Sequence, residues 1–218
     1  MNRTQKRRIV WITAAVIVVI AAAVLIIHFL NKDKTDSKTE DTAMDYFIQV
    51  DFDDWQRFVD SDLFEKALGE ENWETGEWKP LTDRLYAFDA EVFDYTNMYT
   101  LFLQGVQSIA RDLVFSDIEE DLSGMTEELT WPENPYEPYT DGVRSVSFKC
   151  NGHAYSLTLT SMSDWFNVSE FMPFINQVLE KEKLEKRLWF ISDGADQMIA
   201  VLYDTRENAQ SFIHSVIN

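Results

Sequence analysis

Few groups in this chain could carry covalent chemistry. Beyond an apolar N-terminal stretch there is one cysteine, Cys150, and two histidines, His153 and His214, set against 38 Asp and Glu. Cys150 and His153 flank Asn151-Gly152, a pair that reads as the two-residue turn of a β-hairpin. A Cys–His nucleophile needs the imidazole within reach of the sulfur and surroundings that favour thiolate. Within a strand that runs into such a turn, Cys150 reads instead as a small apolar residue, and His153 reads as exposed. His214 falls at the edge of the apolar stripe of the last helix. A Ser-His-Asp triad is defined by geometry, and no spacing here marks one. G-x-S-x-G, H-E-x-x-H, P-loop and G-x-G-x-x-G patterns are all missing from the sequence. One cysteine excludes an internal disulfide and a Cys-based zinc site. The expectation is a chain without catalytic residues, metal or cofactor.

The carboxylates fall in three groups that could be mistaken for sites. Asp51, Asp53 and Asp54 read as a solvated helix start, where acidic side chains meet the positive end of the helix dipole. Asp117, Glu119, Glu120 and Asp121, followed by Ser123-Gly124, could offer oxygens to calcium. They lack the alternating ligand order of an EF-hand loop, and read as a solvated charge run. Asp193-Gly194-Ala195-Asp196 reads as a turn. A glycosidase pair would need a separation between two carboxylates that spacing in sequence does not give.

The most distinctive feature is the segment 131–142, with prolines at 132, 135 and 138. Trp131, Tyr136 and Tyr139 are large amphipathic rings on a backbone that proline stiffens, so ordering them on a partner costs little entropy. These three are the candidate binding residues; the competing reading is a connector that buries its own rings. Asn167-Val168-Ser169 matches a glycosylation sequon, but Ser169 there reads as a helix N-cap.

Charge narrows the partners. Residues 35–142 hold 28 acidic and 6 basic side chains, whereas residues 143–218 are nearly balanced, and the whole chain carries a formal charge of -19. Nucleic acid is excluded as a partner, because phosphate binding requires clustered Lys and Arg. An acidic surface attracts a basic protein or peptide.

These groups must be positioned by a chain that begins at a membrane. Residues 9–30 contain no Asp, Glu, Lys or Arg. As a helix at ~1.5 Å per residue they span about 33 Å, enough for a bilayer core. The apolar run continues past Ala21-Ala22-Ala23 through Val24, Leu25, Ile26 and Ile27, longer than a cleaved signal peptide needs. Arg3, Lys6, Arg7 and Arg8 precede the run, which places the N-terminus in the cytoplasm and the remainder outside it. The expected organisation is a basic tail over 1–8, a transmembrane anchor over 9–30 and a polar tether over 31–43. An acidic, mainly helical part over 44–130, the proline-aromatic loop over 131–142 and a β-β-α-β-β-α part over 143–218 follow, with 44–218 forming one globular unit.

Trp55, Phe58, Val59, Leu63 and Phe64 recur near helical spacing, with Gly69 as a stop. A second helical stretch runs over 81–114, broken near 94–97, and carries the stripe Tyr99, Phe102, Val106, Ile109 and Leu113. After the loop, Val146, Phe148 and Cys150 alternate with polar residues and are mirrored by Tyr155, Leu157 and Leu159. Ser169 caps a helix with Pro173 at its fourth position. A second hairpin turns at Asp193-Gly194 between 188–192 and 198–203, and Asp204 or Thr205 caps a last helix with Ala209, Phe212, Ile213, Val216 and Ile217 on one face. The expected fold class is α+β: an N-terminal transmembrane helix, then a helical half packed on one antiparallel β-β-α-β-β-α sheet unit.

The function that follows is a membrane-anchored, extracytoplasmic, non-enzymatic binding domain with an acidic surface. Two alternatives stand beside it: an immunity-type protein that neutralises a secreted toxin, and a cell-envelope hydrolase that uses paired carboxylates.

Overall fold

The computed structural model describes residues 43–72, 77–79, 82–91, 96–130 and 139–216. After a 3-10 turn at Ala43–Tyr46 the chain forms β1 (Phe47–Gln49), α1 (Phe52–Val59), α2 (Asp62–Leu68), β2 (Glu70–Asn72), β3 (Glu77–Lys79), β4 (Leu85–Asp89) and α3 (Met98–Ile109). It continues with β5 (Phe115–Asp121), β6 (Met125–Thr130), β7 (Thr140–Cys150), β8 (His153–Ser161), α4 (Val168–Lys181), β9 (Arg187–Ser192), β10 (Met198–Asp204) and α5 (Arg206–Val216). The class is α+β, but the expected architecture needs correction in three respects.

First, the transmembrane helix is no part of the described fold. Residues 9–30 lie outside the described residues, and among those described no helix is long and apolar enough to cross a membrane. Second, the part before the proline-rich loop is not a helical half. It contributes β1, β4, β5 and β6 to the two main sheets. The expected helix over 81–114 is a strand, β4, followed by a helix, α3, that starts where the break near 94–97 was expected.

Third, the two C-terminal hairpins do not share a sheet. β9 and β10 lie in a four-stranded sheet of order β1-β9-β10-β4. That sheet is mixed, because β1 runs parallel to β9 with Phe47 opposite Phe190, while β10 is antiparallel to both its neighbours. β7 and β8 belong to a second sheet in which β7 also pairs with β5 and β6. β5 pairs with residues 145–150 of β7 and β6 with residues 140–142. Those two strands therefore follow one another along one edge of β7, and β8 runs along the other.

Local signals explain much of this. Asp51 caps α1 by accepting the Asp53 N–H at 3.0 Å, which satisfies a helix-end donor. Ser61 caps α2, and Gly69 ends it at a φ of 74°, where a residue without a Cβ is unstrained. Asn151 and Gly152, at φ 49° and 89°, make the expected hairpin turn. α4 begins two residues earlier than a Ser169 cap would set: Asn167 accepts the Glu170 N–H, and Ser169 bonds the Asn167 side chain. Pro173 thus lies deeper in the helix than its fourth position. The turn between β9 and β10 spans residues 193–197 rather than two residues.

The core is continuous from Tyr46 to Ile213. In β9, Leu188, Trp189, Phe190 and Ile191 are all buried, as expected of a strand covered on both faces. α3 and α4 meet the sheet through a stack of rings: Tyr99, Phe102, Phe166 and Phe171 lie with centroids 4.5–5.6 Å apart, and Phe102 stacks on Phe190.

Candidate functional site

Of the three rings singled out in the sequence, Trp131 and Tyr136 lie outside the described residues. Tyr139 is described, and stands immediately before β7, half-buried. Its phenol is pushed up to about 12, first by burial and then by the negative charges of Asp164, Glu91 and Asp141. Tyr139 is therefore a protonated phenol set in a field of carboxylates.

Backbone geometry assembles that field from distant parts of the chain. Asp89 ends β4, accepting the Glu91 N–H at 2.9 Å and the Gln197 side-chain amide at 2.8 Å. Burial raises the Asp89 carboxyl, the two hydrogen bonds oppose the rise, and the nearby Asp196 adds to it. Glu91 bridges to Trp165, and Phe166 donates its N–H to the Ala90 carbonyl at 2.8 Å. The 162–165 turn is thereby held against the end of β4. The same turn is tied to β7, because Asp141 accepts the Ser163 N–H at 3.2 Å. Asp164, in that turn, lies close enough for its charge to act on both Glu91 and the Tyr139 hydroxyl.

The acids of this strip divide by use. Asp89, Asp141, Asp193 and Asp196 spend oxygens on turns: Asp193 accepts the N–H groups of Ala195 and Asp196, and Asp196 accepts from Met198 and from the side chains of Trp55 and Gln56. The carboxylates of Glu91 and Asp164 accept no hydrogen bond among the described residues, and Glu91 is exposed. Burial, then Asp164 and Asp89, hold the Glu91 carboxyl above the ordinary value. A cation placed between two such carboxylates would relieve their mutual repulsion. Among the described residues no group of three or more His, Cys, Asp and Glu is arranged to hold a metal ion.

The remaining sequence candidates are placed elsewhere. Asp117, Glu119, Glu120 and Asp121 form strand β5 instead of a loop. Asp117 pairs with Lys149 at 2.7 Å and Asp121 accepts the Ser123 N–H. Glu120 turns inward to accept the N–H and hydroxyl of Thr100 at 2.8 and 2.9 Å. Cys150 is fully buried, and burial followed by the nearby Glu182 pushes its thiol up to about 12, the reverse of an activated nucleophile. His153 engages Glu182 through Nδ1 at 2.9 Å. Asn167 of the sequon is buried, with Nδ2 donating to the Thr160 carbonyl and Glu170. His214 is exposed on α5.

Sequence reasoning did not single out Glu91 and Asp164. They lie 73 positions apart and meet only through an isolated bridge between two turns. No family model matches this chain, and neither does any curated protein or solved structure.

Proposed function

We propose that this chain is a non-enzymatic binding domain for a basic protein or peptide. Residues 9–30 hold it at the cell membrane, with the acidic part outside the cytoplasm. The observation that carries the binding reading is the pair of carboxylates, Glu91 and Asp164, which accept no hydrogen bond among the described residues and whose charges act on one another's surroundings and on Tyr139, at a place where the two main sheets meet. The membrane and orientation part rests on the uncharged run over 9–30 and the four cations before it.

The field behind the site extends over the first part of the domain. Asp51, Asp53, Asp60, Asp62, Asp83, Asp117, Glu119, Asp121 and Glu128 are all exposed. The exposed Arg57, Arg111 and Lys149 are each paired with an acid. Such a surface raises the encounter rate of a cationic partner, while the Glu91–Tyr139–Asp164 group gives the arriving Lys or Arg a place to stop.

The test is titration of the full chain, in zwitterionic detergent micelles, with a fluorescent oligo-lysine or oligo-arginine peptide. Affinity is expected to fall by about tenfold or more from low to high salt. It is also expected to fall on Glu91→Gln or Asp164→Asn but not on Asp62→Asn. Equal losses from all three substitutions reduce the acid to a solubility device, and absence of binding at low salt removes the reading.

A further inference from the structure

We propose that β8 is a self-pairing edge: it joins β8 of a second copy of this chain, antiparallel, about a two-fold axis through Ser156. The two edges of the second sheet are built differently. Along one edge lie β5 and β6, which carry the exposed Asp117, Glu119, Asp121 and Glu128. Charges of this kind keep an edge strand from recruiting another chain. Along the other edge lies β8, whose residues 154–161 read Ala-Tyr-Ser-Leu-Thr-Leu-Thr-Ser without one charged side chain or proline.

The direction of the backbone groups follows from the hydrogen bonds at Thr160. Its N–H is taken by Glu170 at 3.2 Å and its carbonyl accepts from Asn167 at 3.0 Å. Neither bond goes to β7, so Thr160 faces away from it. In an antiparallel ladder a residue either exchanges both bonds with its partner or neither. Ala154, Ser156 and Thr158, at successive steps of two, therefore also face away. The same alternation holds on β7, where the Val143 N–H goes to the Gly124 carbonyl on the other side. Ala154, Ser156 and Thr158 are exposed, and no group among the described residues occupies their outward N–H and C=O. The open row ends at Thr160, which Glu170 and Asn167 close.

Two features select a second copy of this chain as the occupant. The first is register. A two-fold axis at Ser156 sets Ala154 against Thr158 of the second copy and Ser156 against itself, so every open group finds a partner. The second is charge. The His153 end of β8 is flanked by Lys149, opposite Ala154 in the register, and by Lys181 over the Tyr155 ring. Lys149 is paired with Asp117, and Glu182 at this end is largely buried under Tyr155 and His153. The Ser161 end is flanked by Glu170, Asp141 and Asp164. Antiparallel pairing sets the cationic end of one copy against the anionic end of the other, whereas a parallel partner of the same kind would oppose like charges. This inference goes beyond the binding reading above: the two share Asp164, but the open row and its register at Ser156 do not depend on a basic ligand.

The test uses the full chain in detergent micelles. Across a hydrogen-bonded antiparallel pair, Cα atoms lie about 5.5 Å apart, within disulfide range. Ser156→Cys is expected to convert to a disulfide dimer under mild oxidation. Ser147→Cys, one strand inward on β7, and the unsubstituted chain with its buried Cys150 are expected to remain monomers on a non-reducing gel. Light scattering should find a dimer for the unsubstituted chain, monomers for Ser156→Lys and for Ser156→Glu separately, and a dimer again when those two are mixed. A monomeric unsubstituted chain, a Ser156→Lys chain that stays dimeric through another surface, or equal cross-linking from Ser147→Cys overturns the proposal. Cross-linking from Ser156→Cys decides the matter even if the lysine variant fails to fold.

Discussion

Arg144 and Glu120 face each other at 3.4 Å inside the second sheet, with side chains only 1% and 3% exposed. Arg144 also reaches the Ser163 carbonyl and the Met125 sulfur, and its guanidinium lies 5.6 Å from the centre of the Tyr99 ring. Glu120 in turn receives the first turn of α3 through Thr100, where Asn97 makes no side-chain cap. A strand carboxylate thus substitutes for the missing cap, and the arginine compensates its charge.

A buried charge left without its partner is costly, so Glu120→Ala or Arg144→Ala is expected to destabilise the domain by about 3–5 kcal/mol. Replacing both, as Glu120→Leu with Arg144→Met, is expected to recover much of that loss, because the desolvation cost of both ions disappears. Urea melts of the four chains test this. A double variant no more stable than either single one would show that the Thr100 bonds to Glu120 outweigh the ion pair.

Gly142 makes the neighbouring prediction. It lies in β7 at a φ of 117°, and a Cβ there would fall 2.3 Å from the Gly124 carbonyl oxygen. That oxygen accepts the Val143 N–H and holds the junction of β5 and β6 on β7. Gly142→Ala must therefore move backbone, and is expected to cost roughly 1–3 kcal/mol of strain or more. Gly152→Ala meets no atom within 4 Å and, though also at positive φ, is expected to cost about 1–2 kcal/mol. Equal melting temperatures for the two variants would contradict the close approach.

How much of this could be seen in the sequence depends on whether each element announces itself locally. Asn151-Gly152 needs only its own φ preference, and α5 only its cap and stripe, so both were legible. β4 was not: Leu85, Tyr86 and Ala87 are buried in succession, a run without period that strand and helix share, and its partner β10 lies over a hundred residues away. β5 was hidden by chemistry. Asp117 sits at φ 51° where the register slips between Ser116 and Glu119, so the alternation breaks mid-strand. Beyond the slip, the inward position belongs to Glu120, a charge that only Arg144 makes tolerable. The acids were read as a solvated run because half of this pattern is supplied by another strand. For the candidate site, Tyr139 was legible as a ring near prolines, while Glu91 and Asp164 required the bridge to Trp165.

The strained carboxyls predict a direction for stability with pH. Glu91 and Asp89 hold their protons more tightly in the folded state than in the unfolded chain. Their contribution is fully present below the ordinary carboxyl value, 4.5 for Glu91, and is lost as pH rises through the raised folded value. Glu91→Gln should therefore leave the melting temperature unchanged at acidic pH and raise it near neutrality. A variant that melts lower than the unsubstituted chain at neutral pH would mean that Glu91 has a cationic partner within the chain, and the site would not be free for a ligand.

Tyr139 decides whether the site recognises a cation through its ring or only through charge. A Lys or Arg seated over an aromatic face gains about 0.5–2 kcal/mol, depending on how far it is desolvated. Tyr139→Phe keeps the face and removes the hydroxyl, and is expected to bind the basic peptide within a few-fold of the unsubstituted chain. Tyr139→Ala removes the face, and is expected to bind about threefold to thirtyfold more weakly, with the salt dependence retained because Glu91 and Asp164 remain. The ring is only half-buried, so the alanine variant should lose less stability than the ~3–5 kcal/mol of a fully buried aromatic residue. If Tyr139→Ala and Tyr139→Phe lose binding equally, the hydroxyl is the contact. If melting temperature and affinity fall together in the alanine variant, Tyr139 is a connector between the two sheets, and the carboxylates alone remain as the site.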